Sequence, residues 1–317
     1  MLSAMQTWIT RLAWAVVAAV VGAANLAAQA PVEFPPPLIS GKAVRLSAHA
    51  WVIPDPEVIL VPNVGIVVGR KATLVIDTGM GNRNARTILA EVAKVSHNRQ
   101  LYLVTTHAHP EHVSGMDGFP AETTFVVARA QQEELDVTNR QGFGGMAKLS
   151  PFIGELLQDA KLRTPGIVFE DQQVLDLGGV KVRLVWMGPA HSKGDTVAVV
   201  EGEGVVFAGD LAPRGRFPSF SQVSSRAAFV KAMARVEALT PKVIVPSHGP
   251  YGDASVFPPL RTMLDQAAAR VAPLKAEGKS VDEVVKVLVP ELKALYPTWR
   301  STLPNEITPI IRALYAE

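Results

Sequence analysis

Three histidines and a glutamate stand within six residues of the chain, and their types and spacing suit the binding of a metal ion. The segment reads HAHPEH and supplies His107, His109, Glu111 and His112. Imidazole and carboxylate groups are ordinary zinc ligands, whereas such a dense polar group is a poor choice for an apolar core. Glu111 can also act as a general base or acid toward water or a leaving group. The segment therefore predicts a metal site.

Three further candidate ligands stand far along the chain, each directly after a predicted strand. His191 follows the run VRLVW and the turn MGPA, Asp210 follows VVFAG, and His248 follows VIVPS. The HAHPEH segment itself closely follows the run LYLV. Because strand ends of a layered sheet gather along one edge, where sites are usually built, we expect these residues to meet. His49 and His97 lack such a placement and are predicted to be structural or surface residues.

The composition narrows the chemistry and the partners. The 317 residues include no cysteine, which excludes disulfides, thiolate ligands and a cysteine nucleophile. Histidine and carboxylate ligands then favour zinc, with iron, manganese or cobalt as alternatives. The chain carries 31 basic and 29 acidic residues without a block of like charges. Nothing therefore indicates a nucleic-acid partner, and a small-molecule substrate is expected.

Short runs rich in valine and isoleucine alternate with segments of helical spacing, which predicts an α/β fold in which helices cover sheets. The predicted strands are 58–61, 66–68, 72–76, 101–104, 125–127, 174–177, 182–186, 197–200, 205–208 and 243–245. The predicted helices are 83–95, 128–135, 225–239, 258–295 with a break near Gly278, and 305–315. Residues 137–150 contain several glycines and are predicted as a loop.

The N-terminus has the layout of a secretory signal. Arg11 is the only charge before residue 33, and the apolar stretch 12–24 leads into small residues, NLAAQAP. We expect a signal peptide over 1–28 with cleavage near Ala28–Gln29, a proline-rich lead-in over 29–40 and a single domain over 41–317. The protein is then periplasmic or secreted, without stable membrane insertion after signal removal. An uncleaved anchor is the alternative, although the stretch is shorter than the ~20 residues that span a bilayer.

The order of these motifs resembles that of the metallo-β-lactamase superfamily. The pattern H-x-H-x-[D/E]-H is followed by a distant histidine, by Gly-Asp and by Ser-His-Gly, and VIDTG at 75–79 resembles the family's early strand and turn. The resemblance covers nearly all of residues 50–250. It implies a four-layer αββα sandwich with a metal site at one edge of the two sheets.

The same resemblance implies two adjacent zinc ions per chain. The implied ligands are His107, His109 and His191 for the first ion and Glu111, His112 and His248 for the second, with Asp210 bridging the two. Asp77 would order the ligand loop through hydrogen bonds without touching metal. The family usually has aspartate where this chain has Glu111, whose carboxylate lies one methylene farther out. A mononuclear resting state, or iron or manganese in place of zinc, is therefore an alternative.

The implied activity is hydrolysis by a metal-bound hydroxide, with Glu111 and Asp210 as catalytic residues. Candidate substrates carry an ester, thioester, lactone, phosphoester or amide-type bond. The histidine-only type of β-lactamase is one alternative, although Asp210 in the bridging place looks more like glyoxalase II, lactonases and exported relatives found beside sulfur-oxidation or quinoprotein systems. A non-hydrolytic periplasmic metal-binding or redox accessory protein is the other.

The segment that follows Asp210 offers candidate substrate contacts. It reads PRGRFPSFS and contains Arg214, Arg216, Phe217 and Phe220. These side chains can meet a carboxylate and an apolar group of a substrate. An ordinary solvent-exposed loop is the alternative.

Overall fold

The computed structural model describes residues 34–301 and 305–317, and twelve described strands form two sheets. The predicted signal peptide and the beginning of the lead-in lie outside these residues. The first sheet has the order β1 to β7: Val44–Arg45, Ala50–Ile53, Val64–Val68, Ala72–Ile76, Gln100–Val104, Thr124–Ala128 and Ile167–Phe169. The second has the order β12-β11-β10-β9-β8, and its strands from β8 to β12 are Gln172–Asp176, Lys181–Trp186, Thr196–Val200, Val205–Gly209 and Val243–Pro246.

Nine α-helices are described. They are α1 Gly81–Val95, α2 Pro110–Val113, α3 Arg129–Gln141, α4 Gly144–Ala147, α5 Pro151–Leu157, α6 Arg226–Glu237, α7 Phe257–Ala276, α8 Val281–Leu295 and α9 Ile307–Ala316. Short 3₁₀ turns cover Met116–Gly118 and Ala254–Val256. Among the described helices, none combines the length and apolarity needed to cross a membrane.

Three apolar layers hold the sheets and helices together. Leu74 of the first sheet and Phe207 of the second belong to one buried cluster between the two sheets. Ile88 of α1 packs on the outer face of the first sheet, and Phe229 of α6 belongs to a larger cluster on the outer face of the second. Each such side chain contributes about 1.5–3 kcal/mol through burial. The predicted four-layer αββα sandwich is confirmed.

The predicted strand at 58–61 is wrong, because this segment forms a turn. The backbone N–H of Val61 donates to the carbonyl of Val58 at 3.1 Å, and Leu60 takes a positive φ of 64°. Leu60 is nevertheless fully buried, in a small cluster with Met80 and Ile153. Its apolar character therefore reflects burial against α5 and not pairing with a strand.

The predicted loop at 137–150 is also wrong in its first part. Helix α3 continues to Gln141 and ends at Gly142, whose φ is 68° and whose N–H donates to the carbonyl of Thr138 at 2.6 Å. The short helix α4 follows at Gly144–Ala147. Intrinsic propensity is a weak guide here, because a single glycine with a positive φ is enough to end one helix and allow the next to start.

Strand direction determines where the loops meet. Strands β4 and β5 run parallel in the first sheet, and β11 and β12 run parallel in the second. Strand β9 runs in the same direction as β11, because both are antiparallel to β10 between them. The loops that follow β4, β5, β9, β11 and β12 lie at one edge, where the N–H of Thr196 donates to the carbonyl of Thr106 at 2.8 Å.

Candidate metal centre

The seven side chains predicted as ligands lie together at this edge. Strand β5 leads into the HAHPEH segment, and β9 leads through a loop to His191. Asp210 directly follows β11, and His248 stands two residues after β12. Side chains from these four junctions approach one another in three overlapping groups, within each of which the potential ligand atoms lie within 4.8 Å.

Four of the side chains form what we call the first donor group: His107, His109, His191 and Asp210. The Nε2 atoms of His107 and His191 each lie 3.1 Å from Nδ1 of His109. Oδ2 of Asp210 is 3.3 Å from Nε2 of His191 and 4.0 Å from Nε2 of His107. Ligands about 2.0–2.2 Å from a tetrahedral ion lie roughly 3.3–3.6 Å apart, so these atoms have the spacing of a zinc shell.

The other three side chains, Glu111, His112 and His248, form the second donor group. Oε2 of Glu111 and Nε2 of His112 and of His248 are buried and have no hydrogen-bond partner among the described residues. A buried polar atom left without a partner costs about 1–3 kcal/mol. Three such atoms turned toward one another are readily explained by a cation that they share. His107, His112 and Asp210 also cluster, which joins the two groups.

Most of the imidazole rings are held by the nitrogen that faces away from the site. Nδ1 of His112 is 2.9 Å from Oδ2 of Asp77, Nδ1 of His191 is 2.7 Å from the carbonyl of Ser219, and Nδ1 of His248 is 3.1 Å from the carbonyl of Val61. Only a protonated Nδ1 can donate to these oxygens. In the neutral ring Nε2 is then left with a free lone pair, as metal binding requires, and His112 reaches that state by releasing a proton.

Asp77 makes the contacts expected of a residue that orders the ligand loop. Its Oδ1 accepts from the backbone N–H of Thr106 at 2.7 Å, and its Oδ2 accepts from the Thr106 hydroxyl at 3.0 Å as well as from His112. It is buried and has a positive φ of 68°. Such a conformation is uncommon outside glycine and is maintained here by the surrounding hydrogen bonds.

Asp195 was not predicted from the sequence, yet it shapes the loop that carries His191. Its carboxylate accepts from the backbone N–H groups of Ala190, His191 and Ser192, at 2.7–3.1 Å, and from the Ser192 hydroxyl at 2.7 Å. Burial raises the pKa of Asp195 to about 6, although His191 and these hydrogen bonds oppose the rise. The available signal was an acidic residue four positions after a predicted ligand in a turn sequence, HSKGD.

Gly209 allows Asp210 to enter the site. Its φ is 60°, and a Cβ atom there would lie 3.1 Å from Cβ of Thr106. A larger residue would suffer both backbone strain and this close contact. A glycine is therefore required before Asp210, because β11 passes close to the residue that precedes the HAHPEH segment. This is a more specific reason than the general preference of Gly-Asp for turns.

Burial and mutual repulsion lower the pKa of His107, His109 and His248 and keep these rings neutral, whereas at His112 the nearby Asp77 outweighs burial and raises the pKa to about 9. Burial, followed by repulsion from His112 and His191, lowers the pKa of His107 well below its ordinary value. Partial burial and His191 lower the pKa of His109 to about 3. For Asp210, burial raises the pKa, but the neighbouring histidines outweigh it and bring the value to about 2. Neutral imidazoles around an ionised carboxylate form a site suited to a cation.

Three of the four side chains predicted as substrate contacts in the segment after Asp210 are occupied in the interior instead. Arg216 is buried and pairs with Asp55, and Phe217 packs against Trp299 with ring centroids 5.4 Å apart. Phe220 stacks on Phe229 at 4.7 Å within the core of the second sheet. Three of the four side chains are thus buried, so the solvent-loop alternative is also wrong for them. Arg214, which bonds Asp253, is partly exposed.

The two remaining histidines lie outside both donor groups. His49 bonds Glu203 in the turn between β10 and β11, and His97 is exposed after α1. Neither belongs to a described group of possible metal ligands.

Comparisons with known proteins agree with this fold. The sequence profile described as the metallo-beta-lactamase superfamily matches residues 59–248. A linear primary-alkylsulfatase of Pseudomonas sp. (strain ATCC 19151) is 23% identical over an alignment of 279 positions, which covers 76% of this chain and 53% of the alkylsulfatase. The fold is similar to that of a stereoselective inverting sec-alkylsulfatase from Pseudomonas sp., with a TM-score of 0.67, 16% identity, and coverage of 87% of this chain and 50% of the other.

A metallo-beta-lactamase from Pontibacter korlensis is also similar in fold, with a TM-score of 0.57 and 18% identity over 70% of this chain and 98% of that protein. The match of the superfamily profile spans more than half of the sequence and all seven predicted ligands. The chain belongs to the metallo-β-lactamase superfamily. It spans about half the length of the alkylsulfatases that it matches.

Proposed function

We propose that the protein is a metal-dependent hydrolase whose two donor groups hold two adjacent divalent metal ions, with zinc as the first candidate. The observation that carries the proposal is the set of buried, unpartnered atoms of Glu111, His112 and His248 beside the closely spaced first donor group. The donors are imidazole nitrogens and carboxylate oxygens, which suit zinc, iron and manganese. When bound in such a site, these ions acidify a water molecule and polarise a substrate oxygen.

The chain itself contributes charge, proton transfer and a fixed geometry. Asp210 belongs to the first donor group and also clusters with His107 and His112, so its carboxylate would be shared between the two ions. Glu111 offers an oxygen without a protein partner, and that oxygen can accept a proton from water or return it to a leaving group. No serine or cysteine nucleophile is required.

The comparisons direct the choice of substrate toward esters. The alkylsulfatase of similar sequence is named for a substrate whose acid part is sulfate, which the sequence motifs alone do not single out. We therefore propose a sulfate or carboxylate ester, followed by a lactone, a thioester or an amide-type bond. One alternative is cleavage of a cephalosporin, as by a β-lactamase of the histidine-only type. The other is a non-hydrolytic metal-binding or redox role.

The test combines metal analysis with a small substrate panel. Purified protein is loaded with zinc, and its metal content is measured beside its activity toward an alkyl sulfate, an aryl ester, a lactone, a thioester and a chromogenic cephalosporin. We expect two metal equivalents and turnover of at least one ester-type substrate. The His97→Ala variant provides a matched control, because this histidine is exposed and outside both donor groups. No turnover across the panel with metal bound contradicts the proposal, and iron with visible absorption favours the redox role.

Export to the periplasm or beyond the cell is a further part of the proposal. It rests on the charge and apolar pattern of residues 1–28. N-terminal sequencing of the protein recovered from a periplasmic extract tests it. A mature N-terminus near Gln29 is expected, and recovery of the intact chain in the membrane fraction supports the uncleaved anchor instead.

A further inference from the structure

A buried ion pair lies beside the loop that carries His248. Nη2 of Arg216 is 3.2 Å from Oδ2 of Asp55, and their side chains are 5% and 0% exposed. The pair joins the loop before β3 to the loop after β11. Removing two charges from water is costly, and replacing a buried pair with apolar residues is often neutral or stabilising. Fold stability alone is therefore a weak explanation for this pair.

Asp55 also contacts the residue after His248. Its Oδ2 accepts from the backbone N–H of Gly249 at 2.9 Å, and its Oδ1 accepts from the N–H of Glu57 at 2.6 Å. Gly249 has a φ of 89°, and a Cβ atom there would lie 3.2 Å from Nε of Arg216. The glycine thus lets the backbone pass close to the guanidinium group and reach the carboxylate.

Asn63 also forms hydrogen bonds with the loop that carries His248. Its side-chain nitrogen donates to the carbonyls of Pro246 and Gly249, both at 2.8 Å, and its backbone N–H donates to the carbonyl of Ser247 at 2.7 Å. Its Oδ1 accepts from the N–H of Asp55 at 2.7 Å, which ties it to the ion pair. The backbone on both sides of His248 is therefore held by Asp55 and Asn63, and Arg216 pairs with the Asp55 carboxylate that takes part.

We propose that Asp55, Asn63 and Arg216 form a positioning cluster that fixes His248 for the second metal ion. The ring of His248 has a single described hydrogen bond, to the carbonyl of Val61, so its direction depends on where the loop backbone lies. The first donor group is not attached to this cluster by any hydrogen bond described for it. The cluster therefore acts selectively on the second donor group. The metal-binding part of this inference rests on the proposed function.

The test uses Asp55→Asn, Arg216→Gln and the double variant. The single variants each leave one buried group without its ionic partner, whereas the double variant replaces the pair with two neutral amides. Arg270→Gln is the matched control, because it breaks an exposed ion pair, with Glu291, that joins α7 to α8. Zinc affinity is measured at both sites by competition with a chromophoric chelator. The side-chain signals of the histidines are recorded by ¹H–¹⁵N NMR in the metal-free protein.

We expect zinc binding at the second site to weaken by about tenfold to a hundredfold in the single variants, as is typical when an outer-shell partner is lost. Zinc affinity at the first site should stay unchanged in these variants. Arg270→Gln should bind zinc at both sites as the wild type does. In the metal-free protein the signals of His248 should shift while those of His109 and His191 do not. If the single variants fail to fold, the same measurements on the double variant decide, because it leaves no charge unpaired.

Equal weakening of both zinc sites would show a merely structural role and overturn the inference, as would unchanged affinities. The NMR measurement separates this failure from that of the proposed function. A wild-type protein that binds none of zinc, iron and manganese overturns the proposed function. A shift confined to His248 in Asp55→Asn would still support the positioning cluster, and unchanged His248 signals would reject it.

Discussion

The two donor groups of this site are built differently. In the first, the ligand atoms contact one another, with His107 and His191 both 3.1 Å from His109. In the second, Glu111, His112 and His248 each present a buried atom that has no described partner. The first group can therefore satisfy part of its hydrogen bonding without metal. The second depends on residues behind it to keep its atoms in place, and the two sites should respond differently to the same kind of change.

Loss of a ligand from the first donor group should have the largest effect. We expect His191→Ala to remove the first metal ion and to reduce any hydrolytic activity by more than about a hundredfold, because direct ligands matter at least as much as their outer-shell partners. Metal content and turnover are measured on the same sample, with His97→Ala as control. Full metal stoichiometry in His191→Ala would show that the first donor group is wrongly assigned.

Removing the charge behind the second donor group should have the next largest effect. Asp77→Asn keeps the shape of the side chain but takes the negative charge from Nδ1 of His112, 2.9 Å away. We expect second-site zinc affinity to fall by about tenfold to a hundredfold, with a smaller change at the first site. Chelator competition measures both. A larger loss at the first site would contradict the distinction between the groups.

The length of the acidic ligand should sharpen the comparison further. Glu111→Asp restores the residue usual in the family, and Glu111→Gln keeps the length but removes the charge. We expect Gln to weaken the second site more than Asp, because a carboxylate is the stronger ligand for a divalent cation. Chelator competition measures the second-site zinc affinity of both variants, and the ratio of these two affinities tests the prediction. Equal affinities would show that Glu111 does not bind the metal.

A polar contact remote from both donor groups should have the smallest effect, on stability alone. Burial raises the pKa of Glu203, but hydrogen bonds from Ser47 and His49 outweigh it and lower the pKa below its ordinary 4.5. A lowered pKa in the folded state gives stability that is present above about pH 4.5 and lost as the pH falls through the folded-state pKa. Glu203→Gln should therefore unfold more easily at pH 7, by about 0.5–1 kcal/mol.

Urea denaturation at pH 7 and below pH 4 measures this difference. The gap between wild type and Glu203→Gln should narrow at the lower pH, and zinc content should be the same in both proteins. A gap that widens toward low pH would reverse the assigned pKa shift. A loss of zinc would show that the turn between β10 and β11 is coupled to the site.

The sequence by itself determined the family, the layer arrangement and the candidate ligands. Alternation of strands and helices predicts an α/β fold in which helices cover sheets, and strand β4 was predicted with its exact bounds, 72–76. The αββα sandwich was implied by the resemblance of the motifs to the metallo-β-lactamase superfamily. The candidate ligands follow strand ends, and local chemistry marks them: three histidines in six residues, Gly209 before Asp210, and a serine before His248. Such signals are local, because hydrophobic period and turn residues act over a few positions.

The tertiary structure alone decided which polar residues serve the ligands and which apolar residues fill the core. Asp55 and Arg216 are 161 positions apart, and neither differs in sequence from a surface residue, yet they pair in the interior beside His248. Phe220 looked like a substrate contact but stacks on Phe229. Leu60 looked like part of a strand but packs against α5. Contacts between distant segments depend on how whole layers pack, and no short-range pattern in the chain records them.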